Sequence, residues 1–153
     1  MDTIESKLEQ LGLTLPPPPV PAGNYLPYRI HGNMLVLAGV ICVRDGKMSH
    51  TGAVGAAHTI ESAQEAARVC ALNAIAGIKG ALGSLDRVRE FIFVAGYVNG
   101  VPGFPDSPAV INGASDLFAA VFGEAGKHAR AAVSVSGLPK DSTVELQVTV
   151  AFD

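Results

Sequence analysis

Ala129-Arg130-Ala131-Ala132-Val133-Ser134-Val135 and, beyond the turn Gly137-Leu138-Pro139-Lys140-Asp141, Val144-Glu145-Leu146-Gln147-Val148-Thr149-Val150 are two alternating segments that decide the fold. Successive side chains of a strand point to opposite faces. Ala131, Val133 and Val135 therefore share one face and Arg130, Ala132 and Ser134 the other, while Glu145, Gln147 and Thr149 oppose the valines of the second segment. Closed as a hairpin by Pro139-Lys140-Asp141, the two strands would set a guanidinium and a carboxylate near one another on one sheet face. Such a pair is a small anion site with a proton-handling group beside it.

Upstream, strand patterns run over Tyr28-Arg29-Ile30-His31 and, after a turn at Gly32-Asn33, over Met34 to Val43, with a second turn at Asp45-Gly46. Apolar residues then recur at helical spacing from Thr59 to Leu82 (Ile60, Ala63, Ala67, Cys70, Ala71, Ala74, Ile75, Ile78), with Gly83 placed to end the helix. Val88 to Val98 reads as an apolar strand, and Gly100 to Pro108 as a loop. A second helix follows from Pro108 to Phe122, with proline suited to its first turn. The order β-β-α-β-α-β-β predicts an α+β fold with both helices on one sheet face.

Residues 1–24 stand apart as a helix and a strap, leaving residues 25–153 as a single domain. Met1 to Leu11 predicts a short amphipathic helix, with Asp2 and Glu5 as a capping-box-like start, Ile4, Leu8 and Leu11 as its stripe, and Gly12 as its end. Pro16-Pro17-Pro18-Pro19-Val20-Pro21 must run extended, because consecutive prolines fix φ and offer no amide donors.

Composition narrows the function classes. The 153 residues suffice for one domain with a real core, and 48% hydrophobic against 16% charged residues suggests that a partner chain covers some apolar surface. A net charge of −3 without any Lys/Arg run argues against a nucleic-acid partner. No leader pattern and no membrane-length apolar run is present, so a soluble, cytoplasmic protein without a membrane partner is expected. Cys42 and Cys70 have neither metal-knuckle nor redox spacing and read as buried reduced thiols. His31, His50, His58 and His128 show no paired spacing, and Gly52-Ala53-Val54-Gly55 lacks the spacing of a phosphate loop, so no metal and no cofactor is expected.

The segment from Ala129-Arg130 to Val135, then Leu138-Pro139-Lys140-Asp141 and Val144-Glu145-Leu146, resembles the C-terminal signature of the Rid family of reactive intermediate deaminases, also called YjgF and endoribonuclease L-PSP-like. Gly32-Asn33-Met34-Leu35-Val36-Leu37-Ala38-Gly39 resembles the family's second-strand motif, and Asn112 falls in its second helix. The resemblance covers roughly residues 25 to 153, in a longer subgroup with an N-terminal helical extension. It implies a chorismate-mutase-like architecture, assembled as a homotrimeric barrel with sites at the subunit contacts.

By the same resemblance, Arg130 clamps a substrate carboxylate, for which a planar fork suits better than a lysine. Glu145 positions or activates water, Tyr25 lines the pocket, and Asn112, Gly39 and the backbone at Ala132 contact the substrate. The residues alone leave other readings open. Arg130 and Glu145 would also serve as solvated strand charges, Tyr28 is close enough to be confused with Tyr25, and Asn112 would sit equally well on a helix with no task. Ala132 stands where the deaminase pattern has cysteine, and Ala38 where it usually has serine. A thiol-dependent reaction at position 132 is thereby excluded, while imine hydrolysis is not.

Three functions follow in order of expectation. The first is an enamine/imine deaminase, hydrolysing 2-aminoacrylate-type intermediates to 2-keto acids and ammonia. The second is a carboxylate-binding or regulatory protein on the same scaffold without useful turnover. The third is an endoribonuclease or translation inhibitor, for which the acidic balance, the lack of Trp and 6% aromatic residues supply neither an electrostatic groove nor a stacking platform.

Overall fold

Val144–Phe152 (β8) is the last strand of the chain and lies inside the sheet, hydrogen-bonded on both edges. The structure, a computed structural model, describes residues 2–153. Its main sheet runs β1 (Tyr28–His31), β2 (Met34–Leu37), β8, β6 (Val88–Asn99), β7 (Ala129–Val135), and β3 (Val40–Ile41) also pairs with β8. Val43–Arg44 (β4) and Lys47–Met48 (β5) make a separate hairpin through Asp45 and Gly46, both at positive φ. β8 is antiparallel to β2 and to β6, whereas β6 and β7 are parallel.

Parallel pairing forces a crossover, and the helices supply it. Ile60–Leu82 (α2) links the first strands to β6, and Ser107–Phe122 (α3) links β6 to β7. Both cover one face of the sheet, burying Val144, Leu146, Val148 and Val150 of β8 beneath them. The α+β arrangement with two helices on one face is therefore as expected, with three short strands added. Between the helices the backbones nearly touch: a Cβ on Gly113 would overlap the carbonyl of Gln64, whose side chain donates to Ala109 O at 2.9 Å. Phe91 packs on Phe118 and Phe122 with ring centroids 4.7 and 4.8 Å apart.

Three expectations need correction. The segments β7 and β8 do not form a hairpin, because β6 lies between them. Residues 136–143 instead pass over the end of β6, pinned by Asn99, which donates to Asp141 Oδ1 and Ser142 O, each at 3.2 Å. Secondly, Met34 to Val43 is not one strand. Val36 pairs with Thr149 and Val40 with Leu146, so Ala38 and Gly39 together oppose Gln147 in a bulge. The bulge shifts the inward phase from Leu35 and Leu37 to Val40 and Cys42, and Gln147 Nε2 holds it by donating to Leu37 O at 3.0 Å.

The third correction concerns the N-terminal helix. Among the described residues α1 spans Ile4–Gln10, capped reciprocally by Thr3 and Ser6 rather than by Asp2 and Glu5; Met1 lies outside the described residues. Glu5 reaches the domain instead, accepting from Leu85 N, while Asp86 accepts from Ile4 N. Leu8 is 4% exposed in the main core, whereas Leu11 is 42% exposed and Leu13 and Leu15 pack in its place. The proline strap runs along α2, with Pro18 against Gly80 and Pro19 against Gly77.

Cys42 and Cys70 are free and buried. Cys42 Sγ donates to His50 O and Cys70 Sγ to Val144 O, and burial pushes the Cys70 thiol up. No helix among the described residues is long and apolar enough to cross a membrane.

Leu8→Ala is expected to lower unfolding free energy by about 2–4 kcal/mol in urea melts, through lost burial and the cavity left behind. Val20→Ala, at a strap position 86% exposed, should shift it by less than about 0.5 kcal/mol.

Candidate functional site

Strand alternation puts Arg130 and Glu145 on opposite faces of the sheet. Arg130 pairs across from Val94, a fully buried residue, and so points to the helix side. There Nη1 donates to Asn112 Oδ1 at 2.8 Å and to Ser115 Oγ at 3.1 Å, both on α3. Both hydrogens of Nη1 are thus spent within the chain. The Nε–H and the two hydrogens of Nη2 remain, and the edge formed by Nε and Nη2 is geometrically fit to grip a carboxylate with two parallel bonds. Ala132 follows on the same face, half-buried against the core.

Glu145 points the other way, since its neighbours Val144 and Leu146 face the helices. It lies in a row across the open face with Ile41 on one side and Tyr97 on the other, and Val133 pairs beyond Tyr97. The bulge brings Gly39 against it so closely that a Cβ there would overlap Glu145 Oε2. Desolvation pushes the half-buried Glu145 carboxyl above its ordinary value. That moves it toward the range where a carboxylate exchanges protons near neutrality.

Two clusters thus result: Arg130 with Asn112, and Glu145 with Gly39. Tyr25 joins neither through a hydrogen bond; it is 51% exposed in the loop before β1, and its hydroxyl accepts from Ala22 N at 3.2 Å. Two residues of the Arg130 cluster escaped the sequence reading. Ser115 stands one turn beyond Asn112 on α3, and His128, two residues before Arg130, meets Ser115 at 2.9 Å. Spacing carried a signal for Ser115 alone, i and i+3 on a helix with Asn112, whereas His128 precedes β7 and reaches α3 through a contact that has no local signature.

The open face carries apolar side chains without cover from this chain. Val36 and Phe93 flank Thr149 in one row and are 43% and 36% exposed, and Val133 is 48% exposed. β7 is also an edge strand, so Arg130 stands at the rim of the sheet.

The family profile described as "YjgF/chorismate_mutase-like, putative endoribonuclease" matches residues 5–150. Protein TCP17 of Trypanosoma cruzi is 40% identical over 151 residues, covering 98% of this chain and 94% of its own. The crystal structure of Atu1372 from Agrobacterium tumefaciens, a protein of unknown function, is 44% identical with a TM-score of 0.92, over 98% of this chain and 92% of that one. The crystal structure of "a putative endoribonuclease" from Shewanella oneidensis is 34% identical with a TM-score of 0.95, over 99% of this chain and 100% of that one.

The raised Glu145 value has a definite sign in stability. The folded state holds this proton more tightly than the unfolded chain, so the group's contribution is favourable in acid and is lost as pH rises from about 4.5 through the folded value. Glu145→Gln is therefore expected to be more stable than wild type above that window. The gap should close below it in denaturant melts run across pH.

Proposed function

The chain belongs to the Rid/YjgF family, and from that premise we propose that it hydrolyses small carboxylate-bearing imines or enamines of the 2-aminoacrylate class to 2-keto acids and ammonia. The observation that carries this reading is the Arg130 fork, oriented by Asn112 and Ser115 with its Nε–Nη2 edge left for a ligand. A carboxylate on that edge would receive two charge-assisted hydrogen bonds.

The substrate class needs little more from the protein. An imine carbon is already electrophilic, so water attacks it without a metal or a covalent nucleophile. A carboxylate at Glu145 takes a proton from the attacking water as the C–O bond forms. Returned to nitrogen, that proton completes the carbinolamine; the carboxylate then takes the remaining hydroxyl proton and passes it to the amine, so that the C–N bond breaks as the C=O forms, with ammonia leaving and the keto acid remaining. The raised proton affinity of Glu145 suits both transfers.

Arg130 and Glu145 of one chain face away from each other, so a small substrate held by one is out of reach of the other. A site using both takes them from two copies. The uncovered Val36, Phe93 and Val133 and the edge position of β7 support such an assembly, and a closed homotrimer is the arrangement we favour. The same observation defines the second reading: a chain that does not assemble keeps the clamp without the acid–base group, and would bind carboxylates without turning them over.

Substitution at the clamp is expected to separate these readings. With 2-aminoacrylate generated in situ by a dehydratase, Arg130→Ala should cut kcat/KM by about tenfold to a hundredfold, from charge-assisted bonds worth about 1.5–3 kcal/mol. Arg130→Lys should recover little, because an ammonium offers no fork. Glu145→Gln should lower turnover while still binding a keto-acid analogue. Wild-type binding without keto-acid release would overturn the enzyme reading.

Mixing tests the composite site directly. If each site takes Arg130 from one copy and Glu145 from the next, co-refolding Arg130→Ala with Glu145→Gln chains should regenerate about a quarter of the wild-type sites. Recovery of keto-acid release toward that level would support two-chain sites. No recovery from co-assembled trimers, confirmed by light scattering, would mean that one chain supplies both groups.

A further inference from the structure

His128 is half-buried beside Arg130, facing a cleft of about 320 Å3 lined by Ser115, Asp116, Ala119, Lys127, His128 and Arg130. Its Nδ1 lies 2.7 Å from Gly126 O. A carbonyl can only accept, so Nδ1 carries the hydrogen, and in the neutral ring Nε2 carries the lone pair. Nε2 is 2.9 Å from Ser115 Oγ, which therefore donates its single hydrogen to the ring. The serine oxygen is left to accept from Arg130 Nη1 at 3.1 Å. The bonds run in one direction: Arg130 gives to Ser115, Ser115 to His128, and His128 to the Gly126 carbonyl.

Resting on the carboxylate-clamp reading of Arg130, we infer that Ser115 and His128 are positioning residues that hold the fork in its ligand-gripping orientation, and that they do so only while His128 is neutral. Protonation turns Nε2 into a donor. Ser115 Oγ would then face two donors, His128 and Arg130, with its own hydrogen displaced, and two cations would share one oxygen. The bond holding Nη1 on the serine weakens, leaving Asn112 as the remaining tether.

The surroundings favour the neutral ring. Burial, with the Arg130 charge adding to it, keeps the imidazole below its ordinary 6.5, against an opposing contribution from the Gly126 hydrogen bond. The charged groups around it are Arg130 on β7, Asp116 on α3, and Lys127, which pairs with Glu124 in the preceding turn. The Phe91 ring of β6 and the Phe118 ring of α3 lie 6.4 and 5.8 Å from the imidazole.

A simple Coulomb argument predicts the opposite pH response to the relay. A second cation beside Arg130 would tighten the binding of an anion, whereas a broken relay would loosen it. The experiment is titration of 2-ketobutyrate into the full chain between about pH 5 and 8, read by calorimetry. Affinity is expected to fall at least threefold, roughly, as pH drops through the His128 value, which lies below 6.5. Ser115→Ala should weaken binding about fivefold to tenfold at neutral pH, the loss of one charge-assisted bond, and should abolish the pH step.

His128→Gln keeps a carbonyl able to accept from Ser115 and cannot titrate, so it should bind within about twofold of wild type at neutral pH with no step. His128→Asn is too short to reach the serine and should behave as Ser115→Ala. Asp116→Asn should leave the step in place. Binding that tightens or stays flat in acid, or a step that survives in His128→Gln, would overturn the relay.

Failure of the clamp reading would look different, since Arg130→Ala would then bind undiminished. In that event the relay is judged without ligand, by solvent exchange of the Arg130 Nε–H in 15N spectra. Protection lost below the His128 value, measured against the intrinsic base-catalysed rate at each pH, upholds the holding of the fork, and unchanged protection overturns it.

Discussion

The position of β8 between β2 and β6 is the constraint on which the rest depends. A strand paired on both edges satisfies its backbone donors and acceptors without water, and so tolerates burial of one complete face under α2 and α3. Antiparallel pairing on each side makes β2 and β6 parallel to one another, which is what obliges α2 to cross over. The parallel β6–β7 pair obliges α3 to do the same. Two helices on one face follow from strand direction. With that face closed, the other is left to carry Glu145, Gln147 and Thr149 between apolar neighbours.

The bulge at Ala38 and Gly39 turns this frame into a site. Without the extra residue, β3 would continue in the register of β2 and point the wrong side chains inward. With it, Val40 and Cys42 enter the core, and the backbone of Gly39 approaches the Glu145 carboxyl so closely that a Cβ there would displace Oε2. Burial of the carboxyl raises its proton affinity. A local irregularity thus sets what one side of that carboxyl meets.

Much of this was legible in the residues, and the exceptions have physical causes. The stripe from Ile60 to Ile78 and the terminating Gly83 identified α2 because 3.6-residue periodicity over that length has few competitors. The hairpin reading failed because Pro139-Lys140-Asp141 is good turn chemistry, and local chemistry cannot tell a hairpin from a crossing over a third strand. The expectation that Arg130 and Glu145 share a sheet face failed with the hairpin, since at the edge strand Arg130 and Ala132 turn to the helix side while Val133 stays open. The N-cap was misread by one residue, since Thr3 with Ser6 and Asp2 with Glu5 carry nearly the same signal. His128 was passed over because its partner Ser115 lies on another element, and no spacing rule joins a helix to the strand after it.

The separation of Arg130 from Glu145 also bears on what this surface can process. A nucleic-acid site would need repeated cations along a groove, yet Arg130 is drawn inward by two acceptors on α3 and Lys127 is paired with Glu124. What remains is a single oriented fork, fit for one carboxylate. In the proposed two-chain site, the group to meet it is one carboxyl of raised proton affinity in a row with Ile41, Tyr97 and Val133. One anion grip and one proton-transfer group are what the proposed small substrate, with its own electrophilic centre, requires.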